Sequence, residues 1–175
     1  MKHFEVTPGF ILLLSLLLFT NNMFIIFLAA LLLHELAHIS TALLLGGSIV
    51  SCRLSVAGGY ISVNRLSYGR EAIAVAAGPA ASLAAAFIAS SLGYYMLAGI
   101  NLSLGMCNLL PARCLDGGRL IELCIARGGG SADRALRALT LISSLLLLIP
   151  LGVAFHHGVY NWSLILFGLF LLFSR

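Results

Sequence analysis

Residues 23–45 read MFIIFLAALLLHELAHISTALLL, an apolar run with two histidines and a glutamate near its middle. A helix crossing a bilayer needs about 20 predominantly apolar residues, and this run has that length. Two imidazoles and a carboxylate at membrane depth are expensive unless they are paired, hydrated or bound to an ion. The helix and its polar trio therefore have to be explained together.

The rest of the chain has the same texture. Of its 175 residues 61% are hydrophobic and 9% are charged, whereas soluble domains carry about a quarter charged. Further apolar runs occupy about 10–20, 72–92, 94–126, 136–154 and 160–173. The expected fold is an all-α polytopic membrane protein with roughly six transmembrane helices, a single domain over residues 1–175. The first run reads as a retained anchor, because apolar segments simply continue after it where a cleaved leader would give way to a soluble protein. Cys52, Cys107, Cys114 and Cys124 lack the C-x-x-C spacing of a redox or zinc-ribbon motif and are expected to be reduced packing residues. Nothing in the sequence points to nucleic acid.

Basic residues gather in cytoplasmic loops. With about six spans, Lys2, Arg53, Arg65, Arg70, Arg127, Arg134, Arg137 and Arg175 fall on one side, which predicts that both termini are cytoplasmic. The opposite side receives Asn21, Asn22, the turn at Gly93, and His156 with His157.

Between the second and third spans, Val50, Cys52, Leu54 and Val56 alternate with Ser51, Arg53 and Ser55, and Ile61 and Val63 with Ser62 and Asn64. This period of two around Gly58-Gly59 predicts a small membrane-associated β-hairpin. It is either a loop lying at the headgroups or an exposed edge that offers backbone hydrogen bonds to an extended peptide.

The polar trio is His34-Glu35-Leu36-Ala37-His38, the pattern H-E-x-x-H. On a helix, residues four apart share a face with about 6 Å of rise between them, so both imidazoles can reach one zinc ion. Glu35 is displaced around the helix and is placed to act on a water. Catalytic zinc normally takes three protein ligands and leaves a fourth position open. Candidates for the third are Asp116, Glu122, Cys107, Cys114 and Cys124. Asp116 stands in N108-L-L-P-A-R-C-L-D-G-G118, where Pro111 interrupts helical hydrogen bonding and two glycines permit close backbone approach. Broken backbone at membrane depth is tolerated where it lines a hydrated cavity.

The pair of motifs, H-E-x-x-H early and N-x-x-P-x-x-x-x-D-G-G late, resembles the site-2 protease family of intramembrane zinc metalloproteases, and the compact chain is most similar to its sporulation branch, which processes a sigma-factor precursor. The resemblance covers roughly residues 23–126. It implies zinc bound by His34, His38 and Asp116, Glu35 as the catalytic glutamate, and Asn108 near the substrate path. It also implies a bacterial plasma membrane location, a membrane-associated protein substrate such as a sigma- or anti-sigma-factor-like regulator, and a membrane regulatory partner. Gly78-Pro79 resembles a further family segment, but Ser82 stands where an asparagine is often found; as a lone Gly-Pro it reads as a kink that lets helices pack closely. The chain has no room for the PDZ or CBS domains of larger relatives. A zinc transporter would share an intramembrane His-carboxylate set but should show several ligand stations. An inactive scaffold of the same fold would have no physical need for Glu35.

Overall fold

The computed structural model describes residues 3–6, 23–55, 58–64 and 66–156. The expected first and last spans, about 10–20 and 160–173, lie outside them. In chain order the elements are β1 (His3–Val6), α1 (Met23–Leu44), β2 (Ser48–Ser55), β3 (Gly58–Asn64), α2 (Tyr68–Ser91), α3 (Tyr95–Asn108), α4 (Asp116–Arg127) and α5 (Asp133–His156). The chain divides into two compact units between Cys107 and Asn108.

In the first unit, Ile25–Leu44 and Tyr68–Ser91 are long and apolar enough to cross a membrane. Their bulky side chains do not make the contact between helices. Ile25, Leu32, Leu36 and Leu43 of α1 are exposed, as are Ile73, Phe87 and Ile88 of α2. What α2 buries is Ala74, Gly78, Ser82 and Ala86 at four-residue spacing, with Pro79 and Ala89 beside them. In a bilayer large apolar side chains gain nothing by leaving lipid, so helices associate through small residues that let their backbones approach.

Both helices end in the same way. After α1, the Gly46 N–H donates to Leu43 O and the Gly47 N–H to Ala42 O; after α2, Gly93 donates to Ser90 O and Tyr94 to Ala89 O. Gly46 and Gly93 adopt φ of 86° and 80°, which closes a Schellman motif at little cost only for glycine. The turn expected at Gly93 thus has a defined stereochemical cause.

The sheet has the order β1-β2-β3. β2 and β3 pair antiparallel from Ser48 opposite Asn64 to Ser55 opposite Gly58, with one irregularity between Ile49 and Ser51. Gly58 and Gly59 are therefore strand residues, opposite Ser55 and Leu54, and do not form the turn. β1 pairs parallel with the other edge of β2, from His3 opposite Ser51 to Val6 opposite Leu54. That strand has four residues, too few to show a period in the sequence.

The apolar run 94–126 is interrupted around Pro111, as the proline predicts: α3 stops at Asn108, where the second unit begins, and α4 starts at Asp116. Between them, Ala112 N–H donates to Leu110 O at 2.8 Å and Leu115 N–H to Ala112 O at 2.9 Å, tight turns that follow from Pro111 lacking a donor. Ala112 and Leu115 are buried, with Leu110 and Cys114 packed on them. α5 turns Leu136, Thr140, Ser143 and Ser144 inward. The Arg113 N–H donates to Thr140 Oγ1 at 3.2 Å, and the Arg113 guanidinium pairs with Asp133, so α5 holds the broken segment in place.

Candidate metal centre

Ala30, His34 and Ala42 are buried on α1, and His38, on the same four-residue stripe, is half-buried. Residues at this spacing lie one above another on a helix. The two imidazoles therefore sit within a small-residue seam and face the corresponding stripe of α2. The partners run in opposite directions along the two helices. His34 Nδ1 lies 2.9 Å from Ser82 Oγ, and His38 Nδ1 lies 2.9 Å from the Ala74 carbonyl oxygen. A carbonyl only accepts, so His38 carries its hydrogen on Nδ1 and keeps a lone pair on Nε2.

With both Nδ1 atoms turned to α2, both Nε2 atoms converge at a separation of 3.2 Å. The rings meet edge-on, centroids 4.8 Å apart at 81°. Two nitrogens at about 2.0–2.1 Å from one tetrahedral zinc ion are about 3.3 Å apart. The pair thus fits the group that H-E-x-x-H predicts, on a helix where unpaired imidazoles are costly. Gly78 makes room for it: a Cβ at that position would overlap the His38 ring. Glu35, next in sequence to His34, is half-buried and lies off the seam.

In the second unit Asp116 is the first residue of α4 and is half-buried. Backbone N–H groups and the helix dipole favour a carboxylate there. Gly117 and Gly118 are buried behind it; a Cβ at Gly117 would strike the carbonyls of Leu109 and Leu110, and one at Gly118 that of Ala112. Only glycines let the broken segment lie so close over the start of the helix. Asn108, the last residue of α3, is half-buried. Of the other third-ligand candidates, Glu122 is engaged by Arg119 at 2.6 Å, Cys114 packs on Ala112 and Leu115, and Cys107, Cys114 and Cys124 form no disulfide.

Sequence reading noted Gly78 and Ser82 only as parts of a kinked packing segment and missed the partnership of Ser82 with His34, the room Gly78 leaves for His38, and the Ala74 carbonyl. A signal was present: in the stripe Ala74, Gly78, Ser82, Ala86, only Ser82 is polar.

The solved structure of a site-2 protease from Methanocaldococcus jannaschii superposes with a TM-score of 0.69, at 27% identity, over 99% of this chain and 88% of that one. The model of peptidase family M50 matches residues 92–150. In fold the chain is similar to a site-2 protease, and over residues 92–150 to peptidase family M50. It is also 36% identical to Rip3 of Mycobacterium tuberculosis, a protein assigned as a zinc metalloprotease, across 74% of this chain. It spans 38% of that relative's length. The site-2 protease likeness reaches the two motifs by different routes: the family model takes in Asn108 and Asp116 but not the α1 histidines, while the structural match extends over both.

Proposed function

We propose that the chain is an intramembrane zinc metalloprotease in which His34, His38 and Asp116 hold the ion and Glu35 is the general base and acid. The observation that carries this reading is the convergence of two imidazole Nε2 atoms at 3.2 Å within an apolar helix, in a chain whose fold is similar to that of a site-2 protease. A His-His-carboxylate set suits a catalytic zinc that keeps one position open. Zinc bound there supplies Lewis acidity toward water and the scissile carbonyl. Glu35 takes a proton from the attacking water, the water oxygen bonds to the carbonyl carbon, and Glu35 returns the proton to the nitrogen as the carbon–nitrogen bond breaks. Asn108, at the end of α3, positions the substrate.

The substrate in this reading is a membrane-associated protein cut in or near its spanning segment, of the sigma- or anti-sigma-factor regulator class, and a membrane partner regulates access to it. The chain works as one transmembrane domain in a bacterial plasma membrane with both termini cytoplasmic. The outer edge of β3 supplies backbone hydrogen bonds that draw a helical substrate into extended form.

The test is cleavage of a spanning peptide by the detergent-purified chain, with zinc content measured alongside. Wild-type protein should bind zinc and cut; Glu35→Gln should keep the zinc and lose the cutting. Glu35→Gln that cuts at the wild-type rate overturns the assignment, and zinc uptake into proteoliposomes without cleavage replaces it with transport.

A further inference from the structure

We infer that Ser82 is a positioning residue of the metal centre: its hydroxyl accepts the Nδ1 hydrogen of His34, which leaves the His34 Nε2 lone pair for the metal. This rests on the zinc reading above.

The two histidines are held by unlike partners. The Ala74 carbonyl can only accept, so His38 is committed to one tautomer. The Ser82 hydroxyl, 2.9 Å from His34 Nδ1, can donate or accept. If it donated, the His34 hydrogen would sit on Nε2, aimed at His38 Nε2, and His34 could not ligate. If it accepts, the two Nε2 atoms present paired lone pairs at the separation of 3.2 Å that one ion spans.

Packing does not account for a serine here. Its stripe neighbours are Ala74, Gly78 and Ala86, and alanine would fill the seam equally well. Ser82 is fully buried at 0% exposure, where a hydroxyl is unfavourable without a hydrogen-bond partner. The other serines of α2, Ser90 and Ser91, are exposed at its far end. Partners that orient a metal-binding imidazole through its second nitrogen fix tautomer and ring orientation, and losing one costs about 10–100-fold in metal affinity or activity.

The experiment uses the full chain in detergent and reads metal binding, not turnover. Zinc affinity is measured by competition with a chromophoric chelator, and the ligand field by the absorption bands of the cobalt-substituted protein. Ser82→Ala should weaken zinc about 10–100-fold and shift the cobalt bands, while the chelator-treated variant unfolds as wild type does. Ser82→Thr, which keeps the hydroxyl, should stay close to wild type, and Ser91→Ala should change nothing. In zinc-loaded wild type carrying ¹⁵N-histidine, both Nδ1 resonances should be protonated, a measurement that does not depend on any variant folding. The inference is overturned by Ser82→Ala with unchanged affinity and bands, by equal losses in Ser82→Ala and Ser82→Thr, or by an unprotonated His34 Nδ1. Wild-type protein that binds neither zinc nor cobalt would instead sink the metalloprotease reading itself.

Discussion

His38 and Gly78 show how little room the centre leaves. Because a Cβ at Gly78 would overlap the His38 ring, Gly78→Ala must push the imidazole off its Ala74 partner or separate the helices. Overpacking of this kind costs about 1–3 kcal/mol, and zinc affinity should fall by about tenfold or more. An equilibrium titration giving wild-type affinity would show that the ring can shift without losing the ion. Asp116 and Cys114 make a second pair of opposites. Asp116 begins a helix over two glycines that no larger residue could replace without displacing the Leu109–Ala112 carbonyls, whereas Cys114 fills an apolar cluster. Asp116→Ala should lower bound zinc and activity together, and Cys114→Ser should retain both. Metal analysis of the two purified variants decides between them; zinc lost from Cys114→Ser and kept by Asp116→Ala would reverse the assignment.

Among the elements, the sheet is the one whose role is open to a kinetic test. β2 is paired on both sides, by β1 and by β3, so among the described residues the outer strands are β1, of 4 residues, and β3, of 7, and β3 offers a substrate strand the longer edge. Proline at Ile61 removes a backbone donor and disfavours an added strand. Ile61→Pro should slow cleavage severalfold while bound zinc stays near the wild-type level. Unchanged turnover would leave the sheet as a loop at the headgroups. The companion position Val56 lies outside the described residues.

At the scale of the molecule, the proposed orientation rests on the basic residues of the loops. Arginines and lysines resist transfer across the bilayer and remain on the cytoplasmic side, so reporters fused at residues 1 and 175 should both read cytoplasmic, and labelling at His156-His157 should occur from the opposite face. Termini mapped to opposite faces would refute an even number of spans. Removing zinc with a chelator should abolish cleavage and adding it back should restore it, as the catalytic group is then the ion and not a side chain alone. Chelator-resistant proteolysis would exclude this mechanism.

The membrane character, the H-E-x-x-H helix and the broken segment at Pro111 were legible in the chain alone, because each rests on local properties: the length of an apolar run, the four-residue repeat of one helix face, and the missing donor of a proline. The spacing of His34, Glu35 and His38 is local in the same sense, and it is what puts them forward as candidates. Nothing local announced β1, whose four residues gain meaning only by pairing parallel with a strand more than forty positions later. Nor could the sequence show that Gly58 and Gly59 extend a strand, since register is a property of two strands and not of one. Above all, the partners of the imidazoles belong to tertiary structure. Ser82 and Ala74 meet His34 and His38 across 48 and 36 residues, because two antiparallel helices with small-residue seams bring those levels together. A stripe of alanine, glycine and serine has no chemistry to read until another helix is laid against it.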